Sequence, residues 1–179
     1  MKRLVKGALL AAGTALAFSA APAMPAAAAT SGSETVSGII VFAAVPGTNT
    51  RTVVSSVVRA KGVFRGVGRV VELPHLPTDP ADVSRDDLVF PSGTMHVVST
   101  LGTLLSFSVN PHNCLFTGTQ QLTLEVTGGT GQFADATGSF TGTVSALALL
   151  VRDPDGSCSF SQVPRHEVDK LAESGTLSF

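Results

Sequence analysis

Residues 128–140 read Gly-Gly-Thr-Gly-Gln-Phe-Ala-Asp-Ala-Thr-Gly-Ser-Phe, and this stretch decides how the rest of the chain is interpreted. Its first three glycines permit backbone angles that other residues avoid. Phe133 can cap the end of a sheet, and Gly138 can terminate a short turn. The stretch predicts a tight connection between two strands, although glycine-rich turns of this kind also make hairpins in other β folds.

The segments around this connection alternate between apolar and polar residues. In residues 114–127, Phe116, Leu122 and Leu124 share one parity and a row of polar residues has the other, which is typical of a half-buried strand. Similar short runs give seven to nine predicted strands: 33–45, 51–60, 63–73, a broken strand or hairpin over 87–101 and 103–110, then 114–127, 139–151 and 167–179. Three prolines make residues 73–85 a loop.

This many antiparallel strands must hide their edges either in two packed sheets or in a closed barrel. The long strands, of up to about a dozen residues, favour an all-β closed barrel, with a Greek-key sandwich as the alternative.

The N-terminal residues have the organisation of a secretory signal. Lys2, Arg3 and Lys6 precede an apolar run and then a Pro- and Ala-rich stretch that ends in an A-x-A site, so cleavage is expected before Thr30. The apolar run is shorter than the roughly 20 residues that span a bilayer, which argues against a membrane anchor. We expect residues 1–29 to be a signal peptide and residues 30–179 to be one exported domain that has no membrane segment after cleavage.

Residues 30–179 carry nine basic and 13 acidic residues, a net charge of −4. This surface offers no basic footprint for nucleic acid or for anionic lipid. Cys114 and Cys158 are the only cysteines, and an oxidising compartment predicts that they pair, although two separate buried thiols are the alternative. The bond would join the two flanks of residues 128–140.

The connection at residues 128–140 resembles that of the allene oxide cyclase and dirigent-protein barrels. In those proteins a Gly-Thr-Gly turn, an aromatic-centred helical turn and a further glycine join two long strands. The strand count and order agree over most of the remaining chain, which is also similar to a group of secreted actinobacterial proteins with a barrel-like domain.

The resemblance implies an eight-stranded antiparallel barrel whose apolar interior holds a small hydrophobic molecule without a cofactor. Family members cyclise an unstable fatty-acid epoxide or direct the coupling of phenolic radicals, and they commonly form trimers. This chain has no tyrosine, and the paired acidic residues of plant dirigent proteins have no evident counterpart. The fold is therefore expected to transfer, whereas the catalytic residues are not.

Five residues are candidates for ligand binding. On the predicted strand 63–73, Arg65 and Arg69 have one parity, while Glu72 has the other together with Gly66 and Gly68. Inward glycines would leave room for a ligand or a sharp bend, whereas inward arginines could hold a carboxylate; the sequence does not decide between these faces. The arginines are more simply placed in solvent or at a subunit contact, because charged side chains are rarely buried unpaired.

The other two candidates are His96, which lies in a strand, and Gln120, which is polar on an apolar parity. His96 also fits a half-exposed strand residue, and Gln120 also fits a bond to a neighbouring side chain. Asp82, Asp86 and Asp87 with Arg85 are expected to form a solvated loop cluster, since an acid pair serves proton transfer only when it is buried or crowded.

The four histidines lack metal-ligand spacing, so no metal site is predicted. No hydrolase or nucleotide-binding motif is present. Two functions remain. The first is a barrel that binds a small apolar molecule and catalyses a cofactor-free isomerisation or cyclisation by holding one reactive conformer. The second is a non-catalytic secreted module that oligomerises or meets a protein through its outer face.

Overall fold

The computed structural model describes residues 30–179, which form eight antiparallel strands in a closed barrel with strand order β1 to β8. The strands are β1 Ser31–Ala44, β2 Arg51–Gly62, β3 Arg65–Glu72, β4 Val83–Phe90, β5 Gly93–Asn110, β6 Leu115–Gly129, β7 Thr137–Leu149 and β8 His166–Ser178. β1 pairs with β8 from Ser31 to Ala43, which closes the ring. The closed barrel predicted from strand length and number is confirmed, and the predicted signal peptide lies outside the described residues.

The predicted strand over residues 87–101 was wrong, because the chain turns back within it. β4 ends at Phe90, Pro91 and Ser92 form the turn, and β5 begins at Gly93. Gly93 has a φ of 146°, and a Cβ there would lie 2.1 Å from the carbonyl oxygen of Thr130, so the turn requires glycine. β5 then continues as one strand through Gly102, with irregular register between Leu101 and Ser106.

One end of the barrel is packed solid by aromatic rings. Phe133, on the short 3-10 helix Gly131–Phe133, has no exposed surface. Its ring centroid lies 5.0 Å from that of Phe64, 5.9 Å from that of Phe90 and 5.5 Å from that of Phe179. The prediction that Phe133 closes an end of the fold is thereby confirmed.

The glycines of residues 128–140 act in two ways. Gly128 and Gly131 have φ values of 129° and 61°, which favour glycine. Gly128 lies near the end of β6, where the register against β5 shifts, and Gly131 begins the short 3-10 helix. Gly129 is needed for a close approach instead, since a Cβ there would lie 2.0 Å from the carbonyl oxygen of Thr94. Gly138 does not end the helical turn as predicted: it lies inside β7, paired with Leu177.

The orientation of β3 answers the question that the sequence left open. Gly66 and Gly68 face inward, where a Cβ at Gly66 would lie 2.4 Å from the Phe64 ring and one at Gly68 would lie 2.7 Å from the Phe90 ring. Aromatic rings therefore fill the space beside these glycines. Beyond Val58 and Gly68 the ladder between β2 and β3 stops.

Cys114 and Cys158 form the predicted disulfide, with Cα atoms 5.4 Å apart. The bond joins the start of β6 to the loop that follows β7. Within residues 30–179, no helix has the length and apolar character needed to cross a membrane.

Candidate functional site

The half of the barrel opposite the Phe133 cluster encloses a cavity of about 390 Å³. Short inward side chains on β7 leave this space: Val144 and Ala146 line it, whereas the ring of Phe116 covers the position beside Gly118 on β6. At the mouth, Leu101 and Leu104 are 39% and 50% exposed, so the cavity opens to solvent. Most of the wall is apolar, formed by Ile40, Phe42, Val53, Val70, Leu88, Val97, Phe116, Leu122, Leu124 and Leu171 as well as those named above.

The ionisable side chains in this wall are mostly acidic. They comprise one guanidinium and six carboxyl groups: Arg51, Glu72, Asp82, Asp86, Glu167, Asp169 and Glu173. Half of the carboxyl groups come from β8, where every second side chain points inward and the inward set includes Glu167, Asp169, Leu171 and Glu173. The outward set of the same strand includes the exposed Lys170. β8 thus places its acids inside the barrel and its base outside.

Glu173 is the deepest of these acids. It is 5% exposed, and neither carboxyl oxygen has a hydrogen-bond partner. Burial raises the pKa of Glu173 to about 7, and the charge of Asp86 on β4 adds to the increase. Glu173 therefore changes protonation state close to neutral pH.

Asp86 and Asp169 also have raised pKa values. Burial raises the pKa of Asp86 to about 6, although its carboxylate accepts a hydrogen bond of 3.2 Å from the Ser84 hydroxyl and this lowers the value in part. Burial, followed by the charge of Glu167, raises the pKa of Asp169, and Oδ1 of Asp169 is buried without a hydrogen-bond partner. The wall thus contains several buried carboxyl groups whose loss of hydration is not fully offset by hydrogen bonds or opposite charges.

Arg51 lies where the cavity opens, and its charge is already engaged. Its guanidinium is ion-paired with Glu167 and its Cζ lies 4.0 Å from the centroid of the Phe42 ring. Within residues 30–179, Asp86, Asp169 and Glu173 form no salt bridge with any Lys or Arg.

Of the five predicted ligand-binding residues, Glu72 and Gln120 line the cavity. Glu72 lies beside Asp86 across the ladder between β3 and β4. Gln120 is inward, as its parity indicates, and its Nε2 donates a hydrogen bond of 2.9 Å to the carbonyl of Gly102, where the register of β5 is irregular.

The other three predicted residues lie away from this cavity. Arg65 and Arg69 alternate with the inward residues of β3 and are exposed. Arg69 borders a second hollow, of about 490 Å³, where β2 and β3 diverge. The Ser56 hydroxyl on β2 links the two strands there, because it accepts a hydrogen bond from the backbone N–H of Val70 and donates one to the carbonyl of Val70. The side chain of His96 is 44% exposed, and its Nδ1 lies 2.6 Å from Oδ1 of Asp87.

The predicted solvated cluster around Arg85 is divided by strand β4, so that interpretation needs correction. Arg85 donates two hydrogen bonds, of 2.8 and 2.9 Å, to the carboxylate of Asp79, and Asp87 is paired with His96. Asp86 points the opposite way, into the cavity, because successive side chains in a strand alternate between its faces.

Sequence reasoning missed Arg51 and the three acids of β8. A signal was available, since Glu167, Asp169 and Glu173 share a parity with Leu171 and Leu177, and Leu177 belongs to the core. Among the described residues, no group of three or more His, Cys, Asp or Glu side chains is arranged to hold a metal ion.

The fold and the cavity define an eight-stranded antiparallel barrel that is solid at one end and has an acidic, open-mouthed hollow at the other. Comparison of the chain with family models, with curated proteins and with solved structures finds no significant match.

Proposed function

We propose that this protein binds a small, mainly apolar molecule in the open half of the barrel. The observation that carries the proposal is the cavity of about 390 Å³, which lies within the size range of small-molecule sites. Its wall is largely apolar, and the ionisable side chains and Gln120 within it could fix the orientation of a ligand. The solid packing around Phe133 leaves the mouth near Leu101 and Leu104 as the entrance.

The test is to fill the cavity by mutation and to measure the binding of a neutral fluorescent probe, N-phenyl-1-naphthylamine. Ala146→Phe adds a ring inside the cavity, whereas Leu147→Phe, one residue further along β7, adds a ring on the exposed face. We expect the wild type and Leu147→Phe to enhance probe fluorescence alike, and Ala146→Phe to weaken binding at least about tenfold. Equal binding by all three proteins, or none by the wild type, would refute the proposal.

The cofactor-free isomerase or cyclase activity implied by the family resemblance goes one step beyond binding. Carboxyl groups that titrate near neutral pH, such as Glu173 and Asp86, are suited to moving a proton to or from a bound molecule. This supports the proposal of such an activity as an extension of ligand binding. Its first measurement is a search for isomerised products when purified protein is incubated with apolar epoxides and enols, with Glu173→Gln as the control.

We also propose that the protein is secreted. The disulfide between Cys114 and Cys158 is compatible with an oxidising compartment. N-terminal sequencing of the protein from culture medium should begin at Thr30. Retention of the intact chain inside the cell would contradict this proposal.

The second candidate function is a non-catalytic interaction module, favoured by the free edge of β5. From residue 102 to residue 110, β5 has no ladder partner on the β4 side within the described part of the chain. This edge carries Leu104, Leu105 and Phe107, which are 50%, 53% and 63% exposed, and residues 101–110 include no charged side chain. Natural edges are usually guarded by charge or proline, so an unguarded edge is suited to pairing.

A second copy of this chain is the partner that suits the edge, because two uncharged edges meet without electrostatic repulsion. Native mass spectrometry should show an oligomer that Phe107→Lys dissociates and that Val54→Lys, at a site 57% exposed on β2, leaves intact. Pairing of this edge with the same edge of a second copy gives a dimer, so the three subunits implied by the family resemblance would require a different contact. A monomeric wild type at tens of micromolar would refute self-association.

A further inference from the structure

We infer that the molecule bound in the barrel is an amphiphilic organic cation, with an apolar body and a protonated amine that lies between Glu173 and Asp86. This inference rests on the proposed ligand-binding function and specifies its ligand class. It begins from the charge of the cavity wall, which has six carboxyl groups and one guanidinium. Six of the 13 acidic residues of the described chain thus face one space.

Glu173 provides the second and independent observation. Its side chain lines the cavity, is 95% buried, and has two carboxyl oxygens without any hydrogen-bond donor. Leaving a buried carboxylate without a partner is costly, so a hydrogen-bond donor brought by a ligand would recover that free energy. An ammonium group supplies up to three such donors together with the opposite charge.

The placement of the Asp86 and Glu173 carboxyl groups favours a ligand whose positive charge is on a single amine over one whose charge is spread along the molecule. Asp86 reaches toward Glu173 from β4, and its charge acts on that carboxyl group. Two like charges that face one cavity are relieved by one cation between them. Asp169 lies on the same strand, roughly 13 Å nearer the mouth at the usual rise of a β-strand, and Leu171 separates it from Glu173.

Arg51, the one cationic side chain in the cavity wall, does not neutralise Glu173 and Asp86. Arg51 is held near the mouth by Glu167 and by the face of the Phe42 ring. The remaining wall near Glu173 is apolar, with Leu171 and Val144 beside it, and would contact the body of the ligand. An alkylamine that carries a hydrocarbon or aromatic body thus matches both the apolar surface and the acids within it.

The inference predicts a pH dependence, and several ionisable groups face Glu173. They are Arg51 on β2, Glu72 on β3, Asp82 in the loop before β4, Asp86 on β4, and Glu167 and Asp169 on β8. Glu34 on β1 lies one inward position deeper than Glu173 and accepts a hydrogen bond from the backbone N–H of Phe64. Strands β5, β6 and β7 contribute no ionisable side chain to the cavity wall. Ionisation of Glu173 between pH 5 and pH 8 should therefore strengthen binding of a cation.

The experiment compares three naphthalene probes of similar shape by isothermal titration calorimetry: 1-naphthylmethylamine, 1-naphthalenemethanol and 1-naphthoate. We expect the amine to bind about tenfold more tightly than the alcohol at pH 8, and the naphthoate to bind most weakly. At pH 5 the preference for the amine should fall to within about twofold of the alcohol.

Variants identify the carboxyl group responsible. Glu173→Gln should remove most of the preference for the amine over the alcohol, whereas Glu125→Gln, at an exposed position on β6 outside the cavity, should leave the binding of both probes as in the wild type. Asp86→Asn provides a second variant should Glu173→Gln fail to fold, and it should also reduce the preference.

The outcomes separate this inference from the function beneath it. Equal binding of amine and alcohol would overturn the cation inference and leave apolar binding intact. Absence of binding by all three probes would overturn both. Displacement of the amine by millimolar calcium chloride would overturn the inference in favour of a metal site.

Discussion

Glu34 has 1% of its surface exposed, and it lies near the solid end of the barrel rather than in the cavity. Its Oε2 accepts a hydrogen bond of 2.8 Å from the backbone N–H of Phe64, just before β3. Glu34→Ala would leave that buried N–H without an acceptor, and we expect a loss of about 2 kcal/mol in the free energy of unfolding. Urea unfolding followed by circular dichroism measures this loss.

Two further variants define what the Glu34 carboxyl group does. Glu34→Gln keeps an acceptor oxygen and should lose less stability than Glu34→Ala. Glu125→Ala, on an exposed part of β6, should remain within about 0.5 kcal/mol of the wild type. Wild-type stability in Glu34→Ala would show that water replaces the carboxylate.

Individual site residues were only partly predictable from the sequence. Gln120 was identified because one polar residue interrupts an apolar parity. Glu72 was a candidate on the parity of Gly66 and Gly68, whose inward direction only the structure decided. Glu173 was missed because an acidic residue in a strand normally faces water. Its inward position follows from the register of β8 against β1 and β7, which places it opposite Val36 and Gly142.

At the scale of single elements, the connection formed by residues 128–140 matters because it places Phe133 among three other rings. Phe133→Ala should remove about 3 to 5 kcal/mol from the free energy of unfolding, since the ring is fully buried and packs against the rings of Phe64, Phe90 and Phe179. Phe160→Ala is the matched control, because that ring is 68% exposed. Equal unfolding midpoints for the two variants would show that the aromatic cluster can collapse around the missing ring.

Strand identity was easier to predict than strand ends. The long alternation of apolar and polar residues in β6 identified the strand and its inward face, because over so many residues only one of the two faces is consistently apolar. In β5 the parity of Met95, Val97 and Leu101 would also place Leu105 inward. The register shifts between Leu101 and Leu104, however, so Leu104 and not Leu105 lines the cavity. Bulges of this kind depend on the partner strand and leave no local pattern.

For the whole molecule, barrel closure followed from the number and length of the strands, whereas the cavity did not follow from any pattern. A hollow depends on the summed volume of inward side chains from all eight strands at one level. Phenylalanine rings fill one level, while the short side chains of Ala146 and Val144 leave another open. Such a sum requires the register of every strand pair, which the sequence alone does not supply.

The acidic cavity also sets how the stability of the whole barrel depends on pH. The pKa values of Glu173, Asp169 and Asp86 are raised in the folded protein, so between pH 4 and pH 7 the folded chain binds more protons than the unfolded chain. The free energy of unfolding must then fall as pH rises through this range, and the stability that these groups provide is fully present only below their unfolded pKa values. Asp79 acts in the opposite sense, because its hydrogen bond to Arg85 lowers its pKa to about 2. Its contribution to stability is therefore lost only as pH falls below about 4.

We therefore expect the melting temperature of the wild type to be higher at pH 5 than at pH 8, and we expect the double variant Asp169→Asn/Glu173→Gln to reduce this difference. A wild type that melts at a higher temperature at pH 8 than at pH 5 would contradict this expectation, because it would show that ionising these carboxyl groups does not destabilise the folded barrel.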